Sequence, residues 1–110
     1  MQKITYIAEF EELVLLAILK LGDNAYGASL HEALEEAGRK VTVGALYTTL
    51  SRLEDKGLVT SWMGEPTVER GGRAKKYFKV LASGCRALRN SEAARRRLLP
   101  QADFAFGGVE

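Results

Sequence analysis

The sequence of 110 residues contains one cysteine and one histidine, and its longest uninterrupted apolar run is seven residues, 13–19. A single cysteine, Cys85, excludes an intramolecular disulfide and is typical of a protein in a reducing, cytoplasmic setting. The apolar run is far too short for a membrane span. The glutamates before it (Glu9, Glu11 and Glu12) carry the wrong charge for the start of a signal peptide. We therefore expect a cytoplasmic protein without a membrane partner.

Side chains for catalysis or metal binding are also scarce. His31 and Cys85 lie far apart in the sequence, and neither has the spacing of a metal-ligand set or of a nucleophile and its base. The sequence thus predicts no catalytic residue, no metal site and no cofactor, which argues against an enzyme.

Charge is distributed unevenly along the chain, although the formal net charge is only +2. Residues 1–38 hold seven acidic and two basic side chains, whereas residues 39–97 hold fourteen basic and five acidic ones. This asymmetry is expected when one face of a protein meets a polyanion. The length and the 46% hydrophobic content are those of one folded domain.

The first predicted helix covers residues 7–21, where apolar side chains recur at steps of three and four. Its stripe includes Phe10, Leu13, Val14 and Ala17, and further leucines widen the apolar face. Two interpretations remain open for this wide face. The helix is either the centre of the core or also packs on a second subunit.

A second short helix is predicted to end at Gly38, and a third to begin after Thr42, which can cap it. Leu46, Leu50 and Leu53 define the core face of the third helix, and Gly57 ends it. The opposite face carries polar or basic side chains, namely Tyr47, Thr48, Ser51 and Arg52. Tyr47 either contacts a ligand or buries its ring beside Leu50. We favour contact, because the leucines already fill the core face.

Residues 58–63 and 75–81 are rich in β-forming side chains, and Gly71-Gly72 between them permits a tight reversal. The predicted hairpin carries four cations at its tip and returning strand, namely Arg70, Arg73, Lys75 and Lys76. A basic helix follows at about residues 83–99. Its arginines at 95–97 are interpreted as a solvated face or as contacts with glutamates of a partner's first helix. Phe104 and Phe106 lie in the tail, either docked or exposed.

This order of elements predicts a mainly α fold with a small β hairpin, a winged helix-turn-helix with an additional C-terminal dimerisation helix. The DNA-binding domain would span residues 1–81, the dimerisation helix 82–99 and the tail 100–110. A polar helix fits the major groove of double-stranded DNA, and a cationic hairpin beside it can follow the phosphate backbone. Thr42 and the four polar residues of the third helix are the predicted recognition contacts. The alternative is a winged-helix module whose hairpin grips an acidic protein.

Several linked motifs resemble those of the PadR-type transcriptional regulators. The third helix carries Gly44-Ala45-Leu46-Tyr47, Leu50 and Arg52-Leu53-Glu54, followed by Lys56-Gly57-Leu58-Val59. The hairpin carries Gly72-Arg73-Ala74-Lys75-Lys76-Tyr77-Phe78, with Tyr26-Gly27 before the second helix and Gly84 in the last one. The resemblance covers about residues 10–90. This sequence departs from the pattern at Thr48, where proline is frequent, and at Leu81, where threonine is usual and for which Ser83 can substitute as a cap.

The resemblance implies a cytoplasmic, homodimeric repressor that reads a pseudo-palindromic operator. Tyr47 matches the motif tyrosine, Arg73 the wing arginine, and Lys76 and Tyr77 the basic-aromatic pair after it. It also implies a dimer in which the last helix packs on the first helix of the partner. We therefore assign the dimer face to both helices, through Phe10, Leu13, Val14, Ala17, Cys85 and Leu88. An effector, if one binds, would act by favouring one dimer geometry.

Overall fold

Residues 5–65 and 74–100, the part of the chain described by the computed structural model, form four α-helices and one two-stranded antiparallel hairpin. In chain order these are α1 (Glu9–Leu21), α2 (Gly27–Glu36), α3 (Val43–Asp55), β1 (Val59–Met63), β2 (Lys76–Val80) and α4 (Ala82–Leu98). A short 3-10 turn, Gly22–Asn24, connects α1 to α2. The predicted mainly helical fold with a small hairpin is confirmed.

The ends of α2 and α3 agree with the local sequence signals. Thr42 caps α3, because its Oγ1 accepts a hydrogen bond from the backbone N–H of Ala45 at 3.1 Å. Gly38 and Gly57 follow α2 and α3 in the left-handed region, with φ of +90° and +73°. A residue without Cβ adopts this conformation at little cost, so the chain can turn sharply after each helix.

The start of α4 differs from the prediction. The sequence allows Ser83 to cap this helix, but α4 begins at Ala82, and Leu81 before it offers no side-chain cap. The hydroxyl of Ser83 instead donates to the carbonyl oxygen of Gly57 at 2.5 Å. This bond ties the first turn of α4 to the end of α3.

The core is built around α1, which packs against α2, α3, β2 and α4. Leu46, Leu50 and Leu53 of α3 are at most 1% exposed, as their spacing predicts. Val14 and Ala17 are only 0% and 7% exposed within the single chain. Both side chains belong to the core of their own domain, and their assignment to a dimer face stays a prediction.

The buried Glu12 of α1 joins that helix to α4. Its carboxylate accepts two hydrogen bonds from the guanidinium of Arg95, at 2.7 and 2.9 Å, and one from the Ser91 hydroxyl at 2.9 Å. These donors, Arg95 foremost, outweigh the effect of burial and hold the pKa of Glu12 below its ordinary value. Arg95 therefore forms its salt bridge with Glu12 of the same chain.

The neighbouring Glu11 joins α1 to the end of α3. Its carboxylate accepts hydrogen bonds from Lys56 Nζ at 2.7 Å and from the backbone N–H of Ala8 at 2.8 Å. Burial by itself would raise the pKa of Glu11, but these donors and the nearby charges of Lys56 and Arg52 lower it overall. Two glutamates in one helical turn therefore fix the positions of α3 and α4.

Candidate nucleic-acid interface

The outward face of α3 is polar and exposed, opposite its buried leucines. Tyr47, Thr48, Ser51 and Arg52 are all exposed there, so the structure brings the predicted recognition residues onto one surface. The hydroxyl of Thr48 donates to the carbonyl of Gly44 at 2.9 Å, which leaves its oxygen lone pairs available as acceptors. The exposed Thr42 accepts the cap bond at the beginning of the same face.

His31 supports the turn that leads into α3. Its Nε2 lies 2.7 Å from the carbonyl oxygen of Val41, and its Nδ1 lies 3.0 Å from Glu35 Oε1. Since a carbonyl oxygen only accepts, the Nε2 nitrogen carries the proton that is donated to Val41. The histidine thus acts as a brace between α2 and the start of α3.

Tyr47 is neither fully buried nor fully exposed, and its ring lies against the first turn of α2. The side chain is 45% exposed. A Cβ atom on Gly27 would lie 2.0 Å from Tyr47 Oη and 2.8 Å from Cζ, so the ring occupies the space that a larger residue at position 27 would fill. The phenol therefore bridges the two helices of the helix-turn-helix.

The hairpin is held against α2 by an aromatic cluster. Tyr77 stacks on Trp62 with ring centroids 6.0 Å apart and meets Tyr26 edge-on at 5.7 Å. The ammonium of Lys75 lies 3.7 Å from the centroid of the Tyr26 ring, a distance suited to a cation–π interaction. A β-bridge between Tyr26 and Tyr77 and a 2.9 Å bond from Phe78 N–H to the Ala25 carbonyl complete the junction.

Of the predicted wing residues, three lie in the described part of the chain. Lys75 and Tyr77 are half-buried in the aromatic cluster, whereas Lys76 is exposed. Arg70 and Arg73 lie outside the described residues, as do the Gly71-Gly72 reversal and the tail phenylalanines. Of these three residues Lys76 is the exposed one, and Tyr77 packs in the aromatic cluster.

Glu54 at the end of α3 connects that helix to both strands. One carboxylate oxygen, Oε2, accepts a hydrogen bond from the Ser61 hydroxyl at 2.8 Å. The other, Oε1, lies 3.5 Å from the ammonium nitrogen of Lys76. Arg52, by contrast, forms no salt bridge among the described residues, although its charge contributes to the low pKa of Glu11.

The remaining residues assigned to a dimer face are partly accessible. Phe10, Leu13, Cys85 and Leu88 are half-buried and pack against the edge of the core. Two leucines of α1 that were not assigned, Leu16 and Leu19, are 46% and 48% exposed. They are the most open apolar side chains that this helix presents.

Sequence reasoning missed the supporting residues Gly27 and Glu54. Both belong to the motifs quoted above, but their contacts join residues on different elements, so periodicity along one helix carries no sign of them. A signal was available for Glu54, since an acidic residue is unexpected near the polar face of a helix predicted to meet phosphate.

Comparisons with family models and with solved structures point to the same family. Residues 15–90 match the family model described as the transcriptional regulator PadR-like family. A PadR-like transcription factor from Bacteroides fragilis is 30% identical, with 81% of this chain and 82% of that chain covered and a TM-score of 0.67. A PadR family regulator from Eggerthella lenta is 31% identical, with coverage of 82% and 79% and a TM-score of 0.66. No curated protein matches the chain.

None of the helices in the described residues is both long and apolar enough to span a membrane.

Proposed function

Because the chain belongs to the PadR-like family of transcriptional regulators, it is a DNA-binding regulator, and we propose that it is a homodimeric repressor reading a pseudo-palindromic operator. We propose further that it acts in the cytoplasm and that it performs no catalytic step.

The observation that carries the proposal is the division of α3 into two faces. Its leucines are buried, while Thr48, Ser51 and Arg52 form an exposed strip of hydrogen-bonding side chains. A strip of this kind can donate to and accept from base edges in the major groove. An interaction module for another protein would be expected to expose apolar residues at these positions.

In this proposal the hairpin supplies phosphate contacts beside the recognition helix. The cations of the hairpin would neutralise phosphate charge of the DNA backbone without reading the base sequence. They are Lys75 and Lys76, together with Arg70 and Arg73, which are assigned from the sequence. Tyr47 and Thr42 would position or contact the DNA at the first turns of α3. The bracing of α3 by His31, Lys56 and Glu54 supports this role, because a recognition helix needs a fixed orientation.

The dimer is proposed to form between α4 of one protomer and α1 of its partner. Phe10, Leu13, Cys85 and Leu88 would contribute from the edge of the core, together with the exposed Leu16 and Leu19. Two-fold symmetry would then place the operator half-sites about 34 Å apart, or at a multiple of that helical repeat. An effector would regulate binding by changing the separation of the two α3 helices.

A fluorescence-anisotropy titration tests the function directly. The protein is titrated against a randomised duplex pool and against the duplexes enriched from it, at 50 and 200 mM salt. We expect salt-sensitive binding and an enriched palindrome. Absence of binding at low salt would overturn the proposal and favour the alternative, a module whose basic hairpin binds an acidic protein.

A further inference from the structure

The Lys76 ammonium already has an anionic partner in the protein. Its Nζ lies 3.5 Å from Glu54 Oε1, and the two side chains are 47% and 32% exposed, so the pair is accessible from solvent. A carboxylate at this distance attracts the ammonium as a phosphate does. Any phosphate contact by Lys76 must therefore compete with Glu54.

The Glu54 carboxylate is itself held in place. Ser61 donates to its other oxygen at 2.8 Å, and Ser61 pairs across the hairpin with the buried Phe78. Lys76 stands two residues before Phe78 on the same strand, so Ser61 and Lys76 share the hairpin face that is turned towards α3. The carboxylate thus lies between recognition helix and wing with a fixed orientation.

We propose that Glu54 restrains Lys76 and thereby limits the sequence-independent part of DNA binding. This inference rests on the proposed function of the wing. Phosphate contacts strengthen binding to every sequence equally, so an intramolecular competitor for one of them lowers the affinity for every duplex while leaving the base contacts of α3 intact. Glu54 in this sense sets the strength of the sequence-independent contacts, although it touches no base.

A double-mutant cycle tests the proposal with wild type, Glu54→Gln, Lys76→Ala and the double variant. Glutamine keeps the size of Glu54 and an acceptor for Ser61 but removes the charge. Binding to a labelled random duplex is measured by anisotropy between 50 and 200 mM salt. We expect Glu54→Gln to bind about threefold to tenfold more tightly at 50 mM, with a log–log salt slope steeper by up to about 0.9, one phosphate contact.

Controls separate restraint of Lys76 from a general change in charge. Asp55→Asn removes the same charge from an exposed position at the same end of α3, and we expect a clearly smaller gain. The gain from Glu54→Gln should vanish when Lys76 is alanine. A gain that persists in the double variant, or one equalled by Asp55→Asn, would overturn the proposal.

Lys76→Ala in the wild-type background gives a second test that does not require Glu54 to be changed. We expect the slope to fall by less than half a phosphate contact; a loss of the full contact, about 0.9, would overturn the inference. The ratio of operator to random-duplex affinity should stay unchanged in Glu54→Gln, because the freed phosphate contact carries no base information. Wild-type protein that binds no DNA would refute the proposed function, whereas salt-sensitive wild-type binding without coupling would refute only the role of Glu54.

Discussion

The ring of Tyr47 on α3 occupies the space above Gly27 at the first turn of α2, where a Cβ atom would approach its hydroxyl oxygen to 2.0 Å. Tyr26, the residue before Gly27, contacts Tyr77 of the hairpin. One dipeptide therefore contacts both the recognition helix and the wing. Because Gly27 has no side chain, the ring of Tyr47 can lie between α3 and α2 of the helix-turn-helix.

Gly27→Ala is expected to affect DNA binding more than stability. The clash involves the far end of a half-exposed side chain, so the Tyr47 ring can swing outwards, and alanine favours the helix. We expect a change of less than about 1 kcal/mol in unfolding free energy. Operator affinity should fall roughly fivefold, about 1 kcal/mol, because the displaced ring obstructs the α3 face. Anisotropy and urea denaturation measure the two effects, and in a Tyr47→Ala background the substitution should have no further effect on affinity.

Leu50→Ala is expected to destabilise the fold by roughly 2–5 kcal/mol, as is usual for a buried leucine. The side chain is 1% exposed between α3 and the core. Val43→Ala on the same helix, where the side chain is 56% exposed, should cost about 0.5 kcal/mol or less. Urea denaturation compares the two variants. A loss at Leu50 as small as that at Val43 would show that the assigned face of α3 is wrong.

Replacement of Arg73 and Lys76 together by alanine should weaken binding to all duplexes and flatten the salt slope. Phosphate contacts carry no base information, so operator and random sequences should lose affinity in similar proportion. The slope should decrease by about 0.9 to 1.4, because Arg73 would contribute one phosphate contact and the restrained Lys76 less than half of one. Lys20→Ala on α1 serves as the control for loss of a cation. An unchanged slope in the wing variant would contradict the assignment of phosphate contacts.

Acid should destabilise the protein through Glu12. Its pKa in the folded state lies below the ordinary value of 4.5, so its ionised form is favoured in the fold. This contribution is fully present above the ordinary value and is lost as the pH falls through the lower folded-state pKa. We expect Glu12→Gln to reduce the loss of unfolding free energy below about pH 4.5 in pH-dependent denaturation. Glu92→Gln, which removes a carboxylate from the exposed surface of α4, is the matched control.

Leu16→Glu should dissociate the proposed dimer without unfolding the domain. Leu16 is 46% exposed, so a charge there is tolerated in the single chain. Within an apolar interface it would weaken association by about tenfold or more, roughly 1.4 kcal/mol. Sedimentation at several concentrations measures the change, and Thr60→Glu on the exposed face of β1 provides the charge control. Equal dissociation constants for Leu16→Glu and wild type would place the interface elsewhere.

The sequence by itself determined the elements and the polar face of α3. The spacing of Leu46, Leu50 and Leu53, the Thr42 cap and the left-handed Gly57 are local signals, because each acts within one or two helical turns. The hairpin was predictable for the same reason. The family motifs then related these elements to DNA binding.

Only the tertiary structure decided which side chains meet across elements. Glu12 with Arg95, Glu54 with Lys76 and Tyr47 over Gly27 each join residues on different elements. The wide apolar face of α1 shows the same limit. Periodicity does not distinguish a residue buried in the core of its own domain, such as Val14, from a residue buried against a partner. Such contacts depend on how helices and strands pack in three dimensions, and a one-dimensional pattern carries no record of that packing.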